Sequence, residues 1–162
     1  MPESMWITVG AILGAVAIAA LVAWSLVRSR EKKLCKARDD FHRQREHLEA
    51  RFLRLAGESG KPRGLAWTAC DFDDQVAYVR DKRTGRLSAL VGVTVSFSAI
   101  EGGGMEDVEA VGNLRAATAV FHLENDRWIT EGRTIFNLSP AEAVQYYGKS
   151  LERVPPGPSR QA

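Results

Sequence analysis

The stretch Leu87-Ser88-Ala89-Leu90-Val91-Gly92-Val93-Thr94-Val95-Ser96-Phe97-Ser98-Ala99 decides the fold of this chain. Apolar residues stand at every second position from Leu87 to Ala99. Ser88, Gly92, Thr94, Ser96 and Ser98 fall between them, with Leu90 the exception. A period of two is that of a β-strand, whose successive side chains point to opposite faces. The pattern predicts one long strand with one buried face and one largely wet face.

Working outward, residues 75–81 read as a shorter strand joined to the first through Lys82-Arg83-Thr84-Gly85. Gly85 suits the left-handed position of a tight hairpin. Residues 65–70 read as a further strand, and the acidic Asp71, Asp73 and Asp74 as a polar turn between the two. Downstream, 116–123 and 128–136 read as a second hairpin turning at Glu124-Asn125-Asp126. Ser139-Pro140-Ala141-Glu142 then combines an N-cap Ser, a Pro at the first helical position and a Glu at the third. Ala141, Val144, Tyr147 and Leu151 lie close to one face of the short helix so announced. After Val154, three prolines, a glycine and a polar end make residues 155–162 a disordered tail.

Before the strands the period becomes helical. Leu34, Phe41, Leu48 and Leu55 recur every seven residues, Ala37 and Phe52 fall near the same face, and most of the rest of 28–57 is charged. This is a solvated helix with one narrow apolar seam, stopping at Gly57, with 60–64 a turn or linker. The seam has two uses: docking on the sheet of its own domain, or pairing with a second copy. Ala37, Gln44 and Arg51 make a poor second column for a coiled coil, which favours docking.

Residues 4–27 carry no charge and are mostly Ala, Val, Ile and Leu. About 20 apolar residues cross a bilayer as a helix. Trp6 and Trp24 lie roughly 27 Å apart at ~1.5 Å per residue, one at each headgroup level. A cleaved signal peptide ending at Ala17-Ile18-Ala19 is the alternative. The lack of Lys or Arg before the run, its length and the cations after it oppose that reading and favour a signal-anchor. Arg28, Arg30, Lys32, Lys33 and Lys36 follow the run, and the positive-inside bias places the C-terminal part in the cytoplasm. Each of these cations can also add about 1 kcal/mol of attraction to anionic headgroups. Gly10 and Gly14 form a G-x-x-x-G pair, a ridge that would allow a homodimer through the transmembrane and stalk helices.

The expected fold is therefore α+β. An N-terminal transmembrane helix (1–27) continues into a basic stalk helix (28–57). An antiparallel meander or roll of about five strands and a short C-terminal helix (58–154) follow, and then the tail (155–162). The order helix, strands, helix is similar in topology only to cystatin-like and nuclear-transport-factor-like rolls, and none of their motifs occurs.

The net charge is +2, from 22 Lys and Arg against 20 Asp and Glu. Residues 28–57 hold ten of the cations against five acids, so the strand region is slightly acidic, the reverse of a nucleic-acid binder. Cys35 and Cys70 are too few, and too unlike in context, for a disulfide framework. An EF-hand loop opening at Asp71 would place Val76 and Lys82 where calcium needs Gly and Glu. Glu101-Gly102-Gly103-Gly104-Met105-Glu106-Asp107 has the glycines of a phosphate loop, but its carboxylates would repel an anion and no Lys-Ser/Thr follows. Asp71 opposes thiolate formation at Cys70, which reads as a buried structural residue. His42 and His47 point to different sides of a helix, His122 belongs to a strand, and all three read as solvated. Trp67, Tyr78, Phe97, Phe121, Trp128 and Phe136 read as sheet core.

No catalytic, metal or cofactor constellation emerges, and the expectation is not an enzyme. The chain reads as a membrane-anchored protein presenting a small cytoplasmic interaction or assembly domain. Its contacts would be the lipid bilayer and a protein partner of unknown identity, with Glu101, Glu106 and Asp107 as the candidate contact loop. The alternative is a small-ligand-binding roll with a pocket between helix and sheet.

Overall fold

A computed structural model describes residues 3–59, 63–108 and 112–155, without the side chains of 3–13 and 15. The chain divides into two compact units, Met1–Asp39 and Asp40–Ala162. Helix α1 (Glu3–Glu58) supplies all the described residues of the first unit and opens the second.

In the first unit, Gly14 and every residue from Val16 to Lys33 are exposed. Seven of the large apolar side chains (Val16, Ile18, Leu21, Val22, Trp24, Leu26 and Val27) are each more than half exposed. The hydroxyls of Ser25 and Ser29 donate to the carbonyls of Val22 and Ser25, at 2.9 and 2.8 Å. The Arg28 guanidinium lies 5.0 Å from the centre of the Trp24 ring. Among the described residues no helix is long and apolar enough to cross a membrane. Of the uncharged run 4–27, the described side chains are those of 14 and 16–27.

The second unit is α+β. Its strands are β1 (Leu65–Asp81), β2 (Leu87–Ala99), β3 (Arg115–Glu124), β4 (Arg127–Ile129), β5 (Thr134–Phe136) and β6 (Leu151–Arg153), with helix α2 (Pro140–Tyr146) before the last. All pairs are antiparallel, in the order β4-β3-β2-β1-β6, and β5 also pairs with β3.

Six described strands replace the expected five. The separate strands 65–70 and 75–81 are one strand, β1; the expected turn at Asp71–Asp74 is strand, with Asp71 paired to Thr94, and the register shifts between Phe72 and Val76. The shift is held from the helix: Arg45 donates to the carbonyls of Asp73 and Asp74 while its Nε meets Glu49 at 2.6 Å. Gly92 on β2 makes room, since a Cβ there would meet the Asp73 carboxylate. The expected strand 128–136 is two strands. Thr130 turns its hydroxyl onto the Val120 carbonyl (3.1 Å), and Gly132 has φ of +71°. A Cβ on Gly132 would lie 2.6 Å from the Ala56 amide nitrogen, so the glycine lets α1 approach the strand. The two hairpin turns stand as read, with Gly85 at φ +71°, and Asn125 and Asp126 at +48° and +59°.

The seam of α1 docks on its own sheet. Phe41, Leu48, Phe52 and Ala56 are buried. The Phe41 ring lies edge-on to Tyr78, Phe121 and Trp128, with centroids 6.0, 5.4 and 4.9 Å away. Phe52 does the same with Trp67 and Phe72, at 6.2 and 5.8 Å. Tyr78, Phe97, Phe121 and Trp128 are core as expected, whereas Trp67 and Phe136, whose rings contact each other and Phe97, are half-buried.

The second face of the sheet is not wet throughout. Between Leu87 and Val93 both faces are buried, and only beyond, at Thr94 and Ser98, is one exposed. The dry end is covered by α2: Val79, Leu90, Val120 and Ala143 form a second core, flanked by Ile135, Leu138, Val144 and Leu151. The capping box reads as expected, with the Ser139 amide donating to Glu142 at 2.8 Å and the Glu142 amide to the Ser139 hydroxyl at 3.3 Å. The helix is shorter than its apolar spacing implied. It ends at Tyr146, Ala141 is exposed, and Leu151 belongs to β6, which pairs with β1 at Val79–Asp81. Residues 60–62 of the expected linker and 156–162 of the expected tail lie outside the described residues.

Candidate functional site

The antiparallel register sets Val79, Ser88 and His122 side by side on β1, β2 and β3. Residues directly opposite on one face have Cβ atoms about 5 Å apart, and here the row carries a polar pair. The Ser88 hydroxyl meets His122 Nδ1 at 2.8 Å, and both residues are buried (6% and 5% exposed). The expectation of a solvated His122 is thus overturned, because the segment after α2, at Tyr147, Ser150 and Leu151, lies over this end of the face. Burial, chiefly, pushes the imidazole below its usual pKa. Arg86 and Arg133 push the same way, against the opposing carboxylates of Glu131 and Glu124. At neutral pH the ring is uncharged and offers one donor and one acceptor.

The pair sits in the wall of a cavity of about 200 Å³. Leu90, Val120, Ile135 and Leu151 give its apolar lining, and Asp81, Arg86, Arg133 and Tyr147 are on its polar side. Arg86 is shared with Glu124, 3.1 Å away. The Asp81 carboxylate accepts from the amides of Arg83 and Thr84 (2.9 and 2.7 Å). Those bonds, the one from Thr84 first, hold its pKa below the ordinary carboxylate value. Arg133 makes no side-chain hydrogen bond or ion pair with the described residues and remains an available cation.

A serine beside a histidine raises the question of nucleophilic catalysis. Ser88 lies inside the central strand β2, between β1 and β3. The backbone amides around it are therefore used in the sheet ladders, and none is left to stabilise an oxyanion. No described carboxylate orients the other ring nitrogen. The arrangement binds better than it reacts.

A second, larger and more open groove of about 540 Å³ runs beside Leu53, Arg54, Leu65, Trp67, Cys70 and Ile100. Burial, then the charges of Glu49 and Asp71, pushes the Cys70 thiol up to about 12. Cys70 is half-buried where full burial was expected, and it stays protonated at neutral pH.

The other sequence-predicted residues lie apart from the cavity. Glu101, Glu106 and Asp107 are exposed on the β2–β3 connection. Glu106 is committed to the loop itself, accepting from the Gly102 amide at 2.5 Å, and hydrogen bonds from its own amide first and then from Gly102 lower its pKa. That leaves Glu101 and Asp107 as outward charges. Arg28, Arg30, Lys32, Lys33 and Lys36 are all exposed along α1. Trp6 and Gly10 lie outside the described side chains, and a Cβ on Gly14 would meet no atom within 4 Å.

No protein-family model, curated protein or solved structure matches the chain. The functional reading therefore rests on the residues themselves. Sequence reasoning missed Ser88 and His122, which stand 34 positions apart and meet only through the strand register. The one signal available was Leu90, which breaks the wet-face pattern two residues from Ser88.

Proposed function

We propose that this is a single-pass membrane-anchored protein presenting its α+β unit in the cytoplasm as an interaction or assembly domain. The observation carrying this reading is the bare apolar helix, exposed at every described position from Val16 to Val27. Its seven large hydrophobic side chains would gain on the order of 10–20 kcal/mol on leaving water for lipid. The Ser25 and Ser29 hydroxyls already bond the helix backbone, which suits a solvent without water. The Arg28–Trp24 stack and the cations after it suit the headgroup level. The open surface at Gly14 suits a homodimer through a small-residue ridge.

The test has two arms. The protein should stay with membranes through alkaline carbonate washing, and release into the supernatant would remove the anchor. A reporter that works only in the cytoplasm, fused after Ala162, should be active. An active export-dependent reporter there would reverse the orientation.

A second reading, a small-ligand-binding roll, is favoured by the cavity between the sheet and the segment that follows α2, with its buried polar pair. The two readings are compatible in one chain.

A further inference from the structure

The cavity over Ser88 and His122 has a chemical character that narrows what it can hold. Its rim carries two guanidinium groups, Arg86 and Arg133. Arg86 is part-neutralised by Glu124, whereas Arg133 has no ion-pair partner among the described residues. Its one lining carboxylate, Asp81, is turned onto the amides of the 82–85 turn. The lining also holds the Ser88 hydroxyl and the uncharged His122 imidazole; one of their two polar hydrogens is spent in their mutual bond, and the other is left as a donor to an oxygen-rich group without adding a buried charge. Beside them on the same face of the sheet are Leu90 and Val120, and Ile135 and Leu151 complete the apolar lining. The lining therefore offers both cations and apolar surface.

We propose that this cavity binds a small organic anion, its carboxylate or phosphate at Arg133 and its short apolar body on Leu90 and Val120. The inference rests on the ligand-binding reading and specifies the ligand class. A volume of about 200 Å³ is room for six or seven waters at about 30 Å³ each. That fits an anion the size of butyrate or ethyl phosphate. The planar guanidinium fork of Arg133 pairs with two oxygens of either group, and lysine would serve less well.

The experiment uses the full chain in detergent micelles, with the imidazole resonances of the three histidines followed by NMR. Probes are butyrate, ethyl phosphate and neutral butyramide, each against sodium chloride at equal ionic strength. An anionic probe should shift the resonance that disappears in His122→Asn, saturably and in the millimolar range, and butyramide should not. Arg133→Gln should weaken binding at least tenfold and Arg133→Lys by less, both at an exposed position that leaves the fold intact. If butyramide binds as well as butyrate and Arg133→Gln changes nothing, the anion assignment falls while a ligand site remains. If no probe gives a saturable shift of His122, both fall.

Discussion

Phe41 decides whether the helix before the sheet is a part of the domain or a stalk beneath it. Its ring is fully buried and lies within 4.9–6.0 Å, centre to centre, of Tyr78, Phe121 and Trp128. Replacing it with Ala removes that packing and leaves a cavity, a change that costs about 3–5 kcal/mol in well-packed cores. Unfolding entropy of about 2.1 cal/mol/K per residue gives about 0.24 kcal/mol/K for roughly 115 residues. The midpoint should therefore fall by about 12–20 °C. Near-ultraviolet circular dichroism of the full chain in micelles is the assay, because it reads the packed aromatics and ignores helix that survives in detergent. Phe52→Ala should act alike, and exposed Arg43→Ala should stay within a few degrees. A loss of less than about 5 °C in both phenylalanine variants would refute docking and return the seam to self-pairing.

Three further outcomes follow from the same contacts. A fragment of residues 58–154 should show no cooperative melt, and one of 40–155 should melt cooperatively; circular dichroism of the two tests whether Phe41, Leu48 and Phe52 are core. Iodoacetamide at pH 8 should label exposed Cys35 in minutes. Cys70, with its thiol at about 12, should react on the order of a thousandfold more slowly than a free thiol, as read by mass spectrometry. His122, whose folded pKa lies below its unfolded value, binds protons more readily in the unfolded chain. Stability should thus be full above about pH 6.5 and fall as pH drops below it. His122→Asn, which keeps a partner for Ser88, should flatten that part of the urea-midpoint profile.

Much of the fold was legible wherever one local rule governed a segment. The period of β2, the capping box at Ser139, the glycine turn at Gly85 and the Asn-Asp turn before β4 all declare themselves within a few residues. What failed depended on partners distant in the chain. Asp71–Asp74 looks like a turn until Arg45, 28 and 29 positions away, is seen holding the bulge. Leu151 continues the apolar spacing of α2 until β1 offers it an edge at Asp81. Gly132 carries no local mark of its role, which is to leave room for Ala56. The site was hidden for the same reason. Neither Ser88 nor His122 is unusual alone, and their meeting follows from the register in which β2 pairs with β3.

The edge pairing of β6 has a consequence for how the domain is made. β1 finds its inner neighbour β2 almost at once, but Val79 pairs outward with Arg153, at the far end of the described chain. Synthesis at about 5–20 residues per second leaves a gap of roughly two to six seconds between the emergence of His122 and that of Arg153. During that gap α1 and the strands β1 to β3 are already present, and the second apolar face stands uncovered with its serine–histidine pair open to water. The last strand is a latch that shuts a finished box, and the nascent chain is most exposed to misassociation just before it closes.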